Sequence, residues 1–332
     1  MTDPFELTKS LINIPSPTGQ EEHIGEFLHT YLSDMGFEVE RQFVEKNRFN
    51  IYATAGNPAI VLTTHIDTVL PYIPYSEDDE FIYGRGACDT KGIIAAQIRA
   101  AENLLASGME NFGMLFVVGE EAGSDGAQAA NTLANSCKFI INGEPTENKL
   151  ALGHKGVLRF KLETSGIAAH SAYPERGESA ISKMIEILHD LDHVPLLKDE
   201  KLGNTTLNIG TISGGILGNV IPDHAEAEIV IRATTALKTL KDIINNIVKE
   251  RAVIHNLVEF EPIELKTVDG FETTVVAYGT DIPFLTNWGQ PLMLGPGSIH
   301  VAHSPEERIS KKEILAAVDL YVRLIKELKS SL

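Results

Sequence analysis

Four short stretches carry side chains able to hold a cation or move a proton: "HID" at 65–67, "CD" at 88–89, "EE" at 120–121 and "GEP" at 143–145. Taken alone, each is what a solvated turn also contains. Glu120 and Glu121 are the odd pair, because adjacent carboxylates disfavour joint ionisation unless something cationic lies beside them. Asp89, Glu121 and Glu144, together with a neutral His65 and a second histidine, make a mixed oxygen and nitrogen donor set. Such a set suits zinc, with cobalt or manganese as substitutes. Three carboxylates offset most of the charge of two divalent ions, so the cluster is electrically reasonable only when a metal is present.

The elements that must position these residues follow from periodicity. Apolar runs "AIVLTT" at 59–64, "GMLFVV" at 113–118 and "CKFIIN" at 137–142 read as buried strands. Helical patterns separate them, among them "KGIIAAQIRAAENLLASG" at 91–108. Strands alternating with helices predict an α/β fold, a mostly parallel sheet sandwiched by helices. Each strand then hands a polar cluster to its carboxyl end, where open α/β sheets place their sites. Earlier in the chain, Thr18 and Glu21 form a capping-box pattern ahead of helically spaced Ile24, Phe27, Leu28, Tyr31, Leu32 and Met35. Gly36 is placed to end that helix.

From about residue 155 the texture changes to alternating strands with helices near 178–191 and 237–250, a β-α-β-β-α-β layer. The division expected is a catalytic metal-binding domain of residues 1–154 and 266–332, holding an inserted lid and dimerisation domain of residues 155–265. With 332 residues, 43% hydrophobic and 22% charged, the chain is long enough for both. A formal charge of −18 argues against a nucleic-acid partner. No basic leader or membrane-length apolar run is present, which predicts a cytoplasmic protein without a membrane partner. The two cysteines, Cys88 and Cys137, have no CxxC spacing and are expected to be buried free thiols.

In this order the stretches "HIDTVLP", "GRGACDTKG", "VVGEEAGSDGA", "NGEPT", "AAHSAYPERGESAI", "GGILGNVIPDHAEAEIVIR" and "GPGSIHVAHSPEE" resemble one family over nearly the whole chain. It is the dinuclear zinc hydrolases that include acetylornithine deacetylase, succinyl-diaminopimelate desuccinylase, aminoacylase and bacterial glutamate carboxypeptidase. One departure is Leu70, which delays the proline after "HIDTV" to Pro71.

The resemblance implies two zinc ions per subunit. Asp89 would bridge them, His65 and Glu144 would complete one, and Glu121 with His303 the other, His303 being preferred to His300 by its "HSPEE" context. Asp67 would orient His65 through its second nitrogen. Glu120, projecting opposite to Glu121 if the backbone there is extended, would act as general base. In the inserted domain His170 would polarise the reacting carbonyl, and Asn219 and Arg232 would grip a substrate carboxylate. Gly297 would offer a backbone donor. The implied activity is hydrolysis of an N-acyl amino acid by a homodimer, with acetylornithine deacetylase closest in length and motif wording. A dipeptidase, carboxypeptidase or desuccinylase on the same fold is the alternative. A non-catalytic binding paralogue is a third reading, disfavoured by the intact Glu120.

Overall fold

A computed structural model describes residues 3–332. The chain forms two compact units. One runs to Leu152 and resumes over Leu265–Thr274 and Thr280–Leu332; the other comprises Gly153–Glu264 and Val275–Gly279.

The first unit is built on a six-stranded sheet. Its strands are β1 (Glu38–Glu45), β2 (Arg48–Ala55), β3 (Ile60–His65), β4 (Phe112–Val117), β5 (Phe139–Asn142) and a last strand, Gln290–Met293. Their order is β1-β2-β4-β3-β5 followed by Gln290–Met293. β4, β3, β5 and the last strand run parallel, while β1 and β2 are antiparallel at one edge. The continuous apolar runs are explained by burial on both faces. Leu62, Met114, Phe116 and Ile141 enter one core; their neighbours Val61, Leu115, Val117 and Ile140 enter the other, around Trp288. This is the period of two that a pleated strand dictates.

Helices α1 (Pro4–Ile12), α2 (Glu22–Asp34), α3 (Gly92–Ala106), α4 (Asp125–Ala130) and a C-terminal helix, Lys311–Ser330, belong to the same unit. α3 is rich in alanine and buried along most of its length, whereas the C-terminal helix buries only a stripe, Ile314, Ala317, Val318, Tyr321, Leu324, Ile325 and Leu328. Two local expectations are corrected. The capping box does not form: α2 has no side-chain cap, because Glu21 pairs with Arg48 and Thr18 donates to Asp67. Nor are Glu120 and Glu121 on extended backbone. Gly119, at φ 77°, turns the chain after β4, and both acids lie in a single tight helical turn, Glu120–Ala122.

The second unit is an antiparallel sheet of β6 (Gly156–Ser165), β7 (Thr206–Gly214), β8 (His224–Ala233) and β9 (Val253–Phe260), in the order β7-β8-β6-β9. Helices α5 (Ala180–Asp192) and α6 (Leu237–Val248) cover one face of it. On β8, Ala225, Ala227, Ile229, Ile231 and Ala233 point into that core and the residues between them do not. The connectivity is β-α-β-β-α-β. Cys88 and Cys137 are buried free thiols. Among the described residues no helix is long and apolar enough to cross a membrane.

Candidate metal centre

β3 ends on His65, whose carbonyl accepts the Thr90 hydroxyl at 2.6 Å. Two residues on, Asp67 places its backbone carbonyl 3.0 Å and its Oδ1 3.4 Å from His65 Nδ1. The same carboxylate does a second job. Its oxygens accept the backbone N–H groups of Glu120 at 3.1 Å and Glu121 at 3.2 Å, and the Thr18 hydroxyl at 2.7 Å. One buried side chain therefore orients the imidazole and pins the turn carrying both glutamates.

Asp89 lies in an irregular turn leading into α3 and is 5% exposed. Its two oxygens face different histidines: Oδ1 is 3.1 Å from His65 Nε2, and Oδ2 is 3.2 Å from His303 Nε2. His303 Nε2 is also 3.0 Å from Glu121 Oε1. His65, Asp89 and Glu121 each offer a ligand atom, and these atoms all lie within 4.8 Å of one another. Glu144, buried after β5, accepts a hydrogen bond from Asn142 Nδ2 at 3.3 Å. His300 is exposed and makes no such contact among the described residues.

The electrostatics are those of a site short of positive charge. Burial, together with the nearby Glu144, Asp281 and Glu121 charges, pushes the half-buried Glu120 well up from the usual carboxylate range, against the opposing pull of His65. Burial and the charges of Asp89, Asp281 and Glu121 do the same to Glu144. Burial alone would lower His65, but the hydrogen bonds its ring donates to Asp67 and Asp89 more than reverse it. His303 is pushed up to about 10 by its hydrogen bonds to Asp89 and Glu121. The acids thus draw protons onto both imidazoles, and a divalent cation is the natural replacement for those protons. The donors present fit that role.

Sequence reading missed three residues here. Arg48 on β2 forks onto Glu21 through Nε and NH2, both at 2.9 Å, and onto Asp125 at 2.5 and 3.1 Å. Asp125 opens α4, shortly after the Glu120–Ala122 turn, so the network anchors the chain just beyond that turn. A Cβ on Gly119 would fall 1.9 Å from Asp125 Oδ1, so only glycine fits there. Asp281, 2% exposed, leaves Oδ1 without a partner among the described residues. Burial raises its carboxyl to about 7, despite a hydrogen bond from Ser124. A lone arginine, glutamate or aspartate in such contexts carries no signal in the sequence, because its partner is not nearby in the chain.

In the second unit, the short strand Ala169–His170 pairs antiparallel with Val220–Ile221, and the Ser171 amide donates to the Asn219 carbonyl at 3.0 Å. His170 and Asn219, 49 positions apart, become neighbours. The exposed His170 accepts the Ala172 N–H on Nδ1 at 3.1 Å, which leaves its neutral ring proton on Nε2. Arg232 on β8 is half-buried, and no hydrogen bond or ion pair among the described residues reaches its guanidinium; burial lowers its affinity for the proton. Gly297 departs from expectation. Its N–H donates to Glu313 Oε2 at 3.1 Å, so that donor is already committed within the chain. Glycine is needed at this position instead because φ is 88° and a Cβ would lie 2.7 Å from Cys88 Cβ.

Histidines and acids gathered at the carboxyl ends of a mostly parallel sheet, with a second α+β unit inserted, define a metal-dependent hydrolase. Residues 152–255 match the peptidase dimerisation domain. The chain is 40% identical over 334 residues to a peptidase M20 domain-containing protein of Schizosaccharomyces pombe, covering 97% of this chain and 84% of that protein. It is 39% identical over 376 residues to a probable carboxypeptidase of Emericella nidulans, covering 97% and 89%. The chain belongs to the M20 peptidase family. Its fold is similar to that of a tripeptidase from Staphylococcus aureus, with a TM-score of 0.83 and 21% identity over 97% of both chains. It is also similar to a dinuclear metal binding peptidase of the M20 family from Bacillus subtilis, with a TM-score of 0.72 and 16% identity over 97% of this chain and 96% of that one.

Proposed function

We propose that this protein is a dinuclear exopeptidase, a carboxypeptidase or dipeptidase, that hydrolyses the amide bond preceding a residue with a free α-carboxylate. The observation that carries the reading is the Asp89 carboxylate, whose two oxygens face two different histidines. His65 and Glu144 would hold one ion and Glu121 and His303 the other, with Asp89 shared. The nitrogen and oxygen donor set favours zinc, with cobalt or manganese as substitutes. Ions held there would supply Lewis-acid polarisation of the scissile carbonyl and would lower the pKa of water to about 7.

The protein's own groups supply the rest. Glu120 takes a proton from the attacking water and passes it to the leaving amine, the general-base role open to a carboxylate on the same turn as Glu121. Asp67 holds the Glu120–Glu121 turn and the His65 ring in place. His170, with its proton on Nε2, is a donor for the oxyanion, and Asn219 lies beside it. Arg232 is a guanidinium without a counter-ion among the described residues, and a substrate carboxylate is the partner that would fit it. The residue assignments carry this reading together with the names of the relatives, which favour a carboxypeptidase or dipeptidase over the acetylornithine deacetylase that motif wording suggests. The dimerisation-domain match supports a homodimer formed through the inserted unit.

The test is a substrate panel presented to the zinc- or cobalt-loaded protein: dipeptides and tripeptides, their C-terminal amides, N-acetylornithine and N-succinyl-diaminopimelate. Peptides with a free carboxylate should turn over, and their amides should react at least about 10-fold more slowly, the loss of one charge-assisted contact. Faster turnover of N-acetylornithine than of any peptide would overturn the exopeptidase reading.

A further inference from the structure

Behind the Asp89 turn lies a buried ion pair that the chemistry above leaves unused. Arg85 is 3% exposed and Glu307 1% exposed, and they meet at 2.5 Å between Arg85 NH1 and Glu307 Oε2, 222 positions apart in the chain. Each partner also reaches a segment carrying a proposed ligand. Arg85 Nε donates to the Pro71 carbonyl at 3.1 Å, in the loop that follows His65 and Asp67. Arg85 NH1 donates to the Ser304 carbonyl at 3.5 Å, next to His303. Glu307 Oε1 accepts the backbone N–H of Asp89 itself at 3.4 Å. Main-chain bonds tie the same segments: Arg85 N–H to the Ile73 carbonyl at 3.0 Å and Gly84 N–H to the Glu307 carbonyl at 3.1 Å.

We infer that Arg85 and Glu307 are positioning residues for the metal centre: one guanidinium–carboxylate pair sets the spacing between the His65, Asp89 and His303 segments. The inference rests on reading those three residues as ligands. Its physical basis is that a buried ion pair contributes little net stability, since desolvating both charges offsets their attraction. Its value lies in geometry. A planar guanidinium with several fixed donors can hold two carbonyls and a carboxylate at defined angles, which a lysine cannot. Asp89 needs that precision because its two oxygens must each meet a different imidazole, at 3.1 and 3.2 Å. His303 sits at φ 60°, a left-handed backbone angle that few non-glycine residues adopt, and the neighbouring Ser304 carbonyl is one of the groups that Arg85 holds.

The experiment separates positioning from folding by replacing the pair with an apolar one of similar volume, Arg85→Met with Glu307→Leu, a change that buried pairs often tolerate without loss of stability. Full-length wild type and double variant, both metal-free, are titrated with Co2+, following calorimetry and the visible Co2+ absorption, and their melting temperatures are compared. The expected result is a melting temperature within a few degrees of wild type, a dissociation constant for at least one ion raised about 10- to 100-fold, and an altered Co2+ band. A folded variant that binds both ions with unchanged affinity and spectrum would overturn the inference. Should the double variant not fold, Arg85→Lys gives the same reading: the charge is kept, and the Pro71 and Ser304 contacts are lost. Wild type and Asp89→Ala run in parallel distinguish the two levels of the argument. Wild type failing to take up two ions, or Asp89→Ala retaining both, would sink the ligand assignment itself; two ions in wild type with unchanged binding in the pair variants would sink only the positioning role.

Discussion

Asp89 in the first unit and Arg232 in the second both carry charge away from bulk water, and the chain treats them differently. Asp89 is surrounded: two histidines face its carboxylate, and Glu307 accepts its amide. Arg232 has no partner for its guanidinium among the described residues, and burial lowers its hold on the proton. His170 is exposed, and its contacts are strand pairing, one bond to its ring and an edge contact with Tyr173. The difference matches the two tasks proposed for them. Groups that must share a cation have to be held at fixed spacing before it arrives, and the chain spends buried partners on them. A group that must receive a changing substrate is left with its bonding capacity open.

That contrast can be broken at either end. The largest effect is expected from Asp89→Ala, which removes the proposed shared ligand: metal content measured by elemental analysis should fall below one ion per chain and turnover should vanish. Retention of two ions would end the comparison. Next is Glu120→Gln, where metal content should stay unchanged while kcat drops by about 10²- to 10⁴-fold, the range for losing a general base. Near-normal kcat would move the base elsewhere. His170→Ala should cost about 10²- to 10³-fold in kcat with both ions still bound, as for the loss of an oxyanion donor. Steady-state kinetics beside metal analysis reads this directly, and an unchanged rate would remove the second unit from the chemistry. The smallest effect belongs to Arg232→Met: kcat/KM for free-carboxylate peptides should fall about 10- to 100-fold, through KM, with C-terminal amides unaffected. An equal loss on both substrate types would show that Arg232 serves folding.

The architecture was largely readable. Runs at 59–64, 113–118 and 137–142 became β3, β4 and β5 with ends displaced by only a residue or two, because strands buried on both faces leave an unbroken apolar signature. The proposed ligands were also visible, as polar residues just past those runs. The braces were not. "TGQE" reads locally as a helix cap, yet Thr18 and Glu21 bond to Asp67 and Arg48, 49 and 27 positions away. A short pattern states which bonds are available, and burial decides between them: the buried Glu21 carboxylate meets the buried Arg48 guanidinium at two 2.9 Å bonds, and α2 goes without a side-chain cap. Gly297 was misread for a similar reason: its amide was expected to be open, and Glu313 from the C-terminal helix occupies it.

The amino-acid order by itself determined which segments are strands and helices, which of their faces are apolar, and which reactive side chains stand at strand ends, because all of these depend on neighbours within a few bonds. Only the packed structure decided that the two oxygens of Asp89 would divide between His65 and His303, and that Arg85 would lie against Glu307. Those spacings depend on residues brought together by the burial of two cores, and a change of an ångström in that packing alters them while every local pattern stays as it was.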